Sequence, residues 1–111
     1  MLALVVAFGL SMPNFTQAGR ETQPPAEDLI RGKQIFLKYC SSCHGLSGKG
    51  DGYRLLGPNP ADLTSLATRQ QSDRDLLKTI HEGKPNMPAW KYRLSKKDSG
   101  DVLAYIRSLD K

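Results

Sequence analysis

The chain has 111 residues, a single-domain length, so any function must be organised around one core. Only 39% of the residues are apolar, and ten glycines and seven prolines are scattered through the chain, which points to a thin core in abundant loop; 24% charged residues argue against wholesale disorder, and no internal repeat suggests a solenoid. Sixteen Lys and Arg against eleven acids give a net charge of +5, but the basic residues are scattered, with no recognition helix or aromatic platform, so no nucleic-acid partner is expected.

The first eighteen residues carry no charged side chain, and Leu2 to Leu10 form a nearly unbroken apolar run before Ser11, Pro13 and Asn14. That run is shorter than the about 20 residues a spanning helix needs and fits the roughly 7–15 of a secretory h-region. Thr16-Gln17-Ala18 supplies small side chains before Gly19, although no Lys or Arg precedes the apolar run. The segment 1–18 is therefore expected to be a signal peptide cleaved after Ala18, with a retained anchor or a buried N-terminal strand as competing readings. Residues 19–26 then form a linker, residues 27–111 form the folded domain, and the protein is expected in the periplasm or an equivalent exported compartment.

Pro24, Pro25 and Ala26 precede the acids Glu27 and Asp28, which suit a first helical turn, and Leu29, Gly32, Phe36 and Tyr39 or Cys40 recur at helical spacing. This helix delivers Cys40-Ser41-Ser42-Cys43-His44, for which three readings compete. A redox-active Cys-x-x-Cys is expected near a βαβ pattern, and no run of β-branched residues flanks the motif. A structural zinc site needs four ligands. Two Cys with His44 and His81 make four, but His44 directly follows Cys43 and His81 lies far downstream, which fits no finger spacing. The remaining reading is covalent attachment of a c-type haem. Two thiols one helical turn apart can add to the two vinyl groups of one haem, and the next histidine can reach under the ring to the iron. A porphyrin would also supply apolar bulk to a short chain with a thin core.

The loop from Gly45 to Pro60 holds five of the ten glycines, and its Gly48-Lys49-Gly50-Asp51-Gly52 has neither Walker spacing nor a preceding strand. Ser72-Asp73-Arg74-Asp75 reads as a capping box opening a helix with Leu76, Leu77 and Ile80 on its apolar face, closed by Gly83. His81 falls in its last turn, on a different face from Ile80, and reads as a surface or rim residue. Met87, the only methionine after residue 18, follows in Gly83-Lys84-Pro85-Asn86-Met87-Pro88-Ala89-Trp90. Pro85 and Pro88 make that loop stiff and extended. Ser95-Lys96-Lys97-Asp98 is a second capping box, and its helix carries Val102, Leu103, Tyr105, Ile106 and Leu109 on a broad apolar face.

On these residues the chain resembles the class I c-type cytochromes across roughly residues 27 to 109. The resemblance implies an all-α cytochrome c fold around one haem c, attached through Cys40 and Cys43. It implies His44 and Met87 as axial ligands, with His81 the rival for the second position, and a first helix crossing the last with Gly32 and Phe36 against Tyr105. The proximal loop of such proteins offers a proline carbonyl to the axial histidine, for which Pro58 is the best match and Pro60 the second. Trp90 and Tyr53 are candidates for the haem edge or a propionate, and Arg54 for pairing with a propionate. The implied function is one-electron transfer to and from redox partner proteins, with acidic partner surfaces or an anionic membrane surface facing the basic chain, and no enzymatic activity of its own. The alternatives are a haem subunit of a larger oxidoreductase and a ligand-binding or peroxidase-type haem protein.

Overall fold

The computed structural model describes residues 9, 11–12, 23–54 and 57–109, so the expected signal peptide and its cleavage point after Ala18 lie outside the described residues but for three isolated positions. Among the described residues the chain is helical, with one isolated β-bridge between Lys84 and Met87, and no helix is long and apolar enough to cross a membrane. Helix α1 spans Ala26–Ile35, with Glu27 and Asp28 in its first turn as expected; the Pro25 carbonyl, rather than a capping side chain, takes the Asp28 and Leu29 N–H groups.

The chain then continues through a π-helical turn, Phe36–Cys40, into the short helix α2, Ser41–His44. Simple helical spacing does not anticipate this turn. Its cause is local: the Ser41 hydroxyl donates to the Leu37 carbonyl at 2.7 Å, the acceptor that Ser41's own N–H would use in an α-helix, and that N–H bonds the Phe36 carbonyl instead.

Helix α3, Leu66–Gln70, also lies beyond the expected elements. Asp62 builds the turn before it, accepting from both the N–H and the hydroxyl of Thr64, and Ser65 caps it by accepting from the Thr68 N–H. Helix α4, Asp73–Glu82, is capped by Ser72, which accepts from the Asp75 N–H; the reciprocal carboxylate bond of a full capping box is absent here. Helix α5, Lys96–Arg107, has both halves of the box between Ser95 and Asp98.

Helices α1 and α5 cross closely. A Cβ on Gly32 would run into the Asp101 carbonyl and press on the Tyr105 Cβ, so only a glycine permits this approach. Phe36, wholly buried, packs on Tyr105 with ring centroids 5.4 Å apart and a tilt of 56°. Polar groups at the crossing are paired: Lys97 bonds Asp28 at 3.0 Å and buried Asp101 at 2.9 Å, and Arg31 donates to Asp98. The core gathers Ile35, Phe36, Ile80, Leu94, Val102, Leu103 and Ile106, with Tyr39, Leu76 and Trp90 packed around it.

Candidate functional site

Beside this core lies a cavity of about 440 Å³, within the roughly 300–1,000 Å³ typical of cofactor sites. Ile80, Leu103 and Ile106 belong both to the core and to its wall. Cys40, Cys43 and His44 line it from the π turn and α2, while Met87 lines it from the loop after α4. The four side chains singled out for haem attachment and ligation thus converge on one apolar space that no side chain among the described residues fills.

Each donor is prepared differently. Cys40 and Cys43 form no disulfide with each other. Burial, with the neighbouring Cys43 as the lesser cause, pushes the Cys40 thiol up to about 12, so it is uncharged at neutral pH. A disulfide oxidoreductase relies on a thiolate with a lowered value, so this environment runs against the redox-active reading of the motif. A neutral thiol facing an apolar cavity suits thioether formation with a bound macrocycle.

The imidazole of His44 lies 3.0 Å through Nδ1 from the Ala61 carbonyl. A carbonyl only accepts, so Nδ1 carries the proton and Nε2 keeps its lone pair for a metal. The acceptor corrects the expectation of Pro58: that residue lines the cavity, and the Pro60 carbonyl instead faces Gly50, where a Cβ would meet it at 2.5 Å. The cause is the turn at Asp62, which sets the Ala61 carbonyl beside α2. Sequence reasoning missed Ala61 because a backbone acceptor leaves no signature in residue identity; the Asp62-Leu63-Thr64 turn was the available signal.

The Met87 loop is tighter than an extended strap. Lys84 and Met87 exchange N–H···O bonds of 3.0 and 2.9 Å around Pro85 and Asn86, a closed turn with proline at its first corner. Behind it Gly83 has φ 70°, and a Cβ there would meet the Met87 carbonyl at less than van der Waals distance, along with the Pro88 carbonyl carbon and the Ala89 nitrogen at 2.8 Å. The glycine therefore lets α4 stop and the loop double back over its end.

The other candidates separate. Trp90 begins a 3₁₀ turn, Trp90–Tyr92, lines the cavity and packs on Tyr39 at 5.2 Å. Arg54 also lines the cavity, whereas Tyr53 is 85% exposed and stands outside the wall. His81 is outside it too: its Nε2 lies 2.5 Å from the hydroxyl of fully buried Ser99 on α5. The two cysteines and two histidines are therefore not gathered into a zinc set, and His81 is not turned toward the space that Met87 faces.

Residues 27–106 match the family model described as cytochrome c oxidase, cbb3-type, subunit III. The chain is 34% identical over 83 residues to the cbb3-type cytochrome c oxidase subunit FixP of Bradyrhizobium diazoefficiens, covering 74% of this chain but only 28% of that protein. It is 36% identical over 85 residues to a cytochrome c6-like protein of Nostoc, covering 75% of this chain and 74% of the relative. Among solved structures, the c-type cytochrome KustC0563 superposes with a TM-score of 0.62 at 24% identity, over 72% of this chain and 98% of the other, a likeness of fold.

Proposed function

The chain belongs to the class I c-type cytochromes and its cofactor is a covalently bound haem c, and on that premise we propose that it carries single electrons in the periplasm with His44 and Met87 as axial ligands. The observation that carries the reading is the convergence of Cys40, Cys43, His44 and Met87 on one apolar cavity. When bound, the haem supplies a one-electron ferrous/ferric couple. Cys40 and Cys43 would hold it as thioethers, and His44, its Nδ1 proton committed to Ala61, would offer Nε2 to the iron. Met87 would supply a sulfur, a donor that favours reduced iron and raises the potential relative to a second imidazole. The turn closed by the Lys84 and Met87 backbone bonds would restrict how far that sulfur can move.

The charge of +5 suits transient docking on acidic redox partners. The uncharged N-terminal segment supports the exported location. The likeness to an oxidase subunit supports a second reading, service as the haem-bearing portion of a respiratory complex, since the chain spans about 28% of that relative. In either setting the chain relays electrons and is not an enzyme by itself.

The ligand assignment is tested by spectra of two variants. Met87→Ala should abolish the sulfur-to-iron absorption band, lower the potential and let carbon monoxide bind the reduced protein, which the wild type should refuse. His81→Ala should change none of these. The reverse pattern would transfer the ligand role to His81, and carbon monoxide binding by the wild type would favour a ligand-binding haem protein.

A further inference from the structure

The acceptor of the His44 proton is held by a chain of hydrogen bonds that runs to the far end of α5. The Ala61 carbonyl belongs to the peptide preceding Asp62, and the Asp62 carbonyl accepts at 3.0 Å from the hydroxyl of Thr68, a buried residue of α3. Thr68 is held in turn from α5. Arg107 donates to the backbone carbonyls of Thr68, Arg69 and Gln71 at 3.3, 3.1 and 2.6 Å, and pairs with Asp73 at 2.8 Å. The Thr68 carbonyl also accepts the Gln71 N–H that closes α3, the Arg69 carbonyl lies in its last turn and the Gln71 carbonyl just beyond it, and a planar guanidinium with five donors can take all three and a carboxylate together. Without that clamp α3 is far too short to persist as an isolated helix.

Resting on the reading of His44 as an iron ligand, we infer that Thr68 and Arg107 are positioning residues for it: they fix the Ala61 carbonyl against Nδ1–H and thereby set how strongly the imidazole donates to iron. Both act through backbone carbonyls rather than by bonding the imidazole, although Thr68 also lines the cavity. A firm Nδ1–H···O bond makes the ring a better donor and stabilises the oxidised iron. Loosening the Asp62 turn weakens that bond, so the potential rises and the ring proton exchanges with solvent more freely.

The test uses the intact holoprotein, reduced and diamagnetic, and follows the His44 Nδ1–H by NMR exchange alongside the midpoint potential. Thr68→Val keeps the side-chain volume and removes the donor; exchange should accelerate about threefold to tenfold, the range expected for losing one such bond, with the potential shifted upward. Arg107→Gln should move both readouts the same way, and Thr68→Ser, which keeps the hydroxyl, should restore them. Lys97→Met, which breaks the ion pairs at the crossing of α1 and α5, lowers stability and should leave both readouts at wild-type values. Unchanged exchange and potential in Thr68→Val and Arg107→Gln would overturn the inference alone, as would an equal response in Lys97→Met. A wild type with no iron-bound His44 resonance would overturn the ligand reading and this inference with it.

Discussion

Asp98 shows how much one side chain carries in this fold. It completes the capping box of α5, receives Arg31 across the crossing with α1, and is held below the usual carboxylate range first by the Arg31 hydrogen bond and then by the Ser95 backbone N–H. A carboxyl with a lowered folded value contributes stability that is fully present above its unfolded value, about 3.9, and is lost as pH falls through the lower folded value. Thermal melts across pH 2 to 6 should therefore show a shallower acid loss in Asp98→Asn than in the wild type, with the variant already less stable at pH 6. Parallel curves would remove Asp98 from the acid response. Part of this scale was legible in advance: the Cys40-Ser41-Ser42-Cys43-His44 motif in the residues themselves, and Gly32 against Tyr105 through the resemblance to the class I c-type cytochromes. The acceptor for His44 was not, because Pro58, Pro60 and Ala61 offer chemically identical carbonyls and only the turn at Asp62 chooses between them.

Helix ends, more than helix interiors, shape the site. Ser95 with Asp98 and Ser72 with Asp75 were readable because caps place a specific side chain at a specific offset, although the second proved one-sided. The π turn and α3 were not readable: the first depends on one serine hydroxyl competing for the Leu37 carbonyl, the second on Arg107 reaching from a helix 38 residues away in sequence from Arg69. Gly83 ends α4 with φ 70° and ψ −171°, a conformation open almost only to glycine, and it faces the Met87 carbonyl. Gly83→Ala should destabilise the folded chain by about 1–3 kcal/mol. The larger consequence is local, since the loop can no longer double back over the helix end. The sulfur-to-iron band should weaken or vanish in the oxidised variant while the haem stays attached, measured by absorption before and after acid extraction. An intact band would show that the loop reaches the iron without that reversal.

For the molecule as a whole, the haem cavity and the core are one structure. Ile80, Leu103 and Ile106 belong to the core and also face the cavity, so the interior is complete only when the cavity is filled. A chain of this length buries too little of its own apolar surface to be indifferent to such a gap. The low apolar fraction visible in the composition and the cavity visible in the fold are thus the same fact at two scales. A covalently bound haem cannot dissociate, so the interior stays filled. The account stands most directly on the mass of the intact protein after acid extraction of haem, measured on chain matured in a host able to attach c-type haem. It predicts that the wild type keeps the mass of exactly one added haem and that the Cys40→Ser, Cys43→Ser double variant reverts to the bare polypeptide. A wild type that gives up its haem to acid and shows only the polypeptide mass would contradict it.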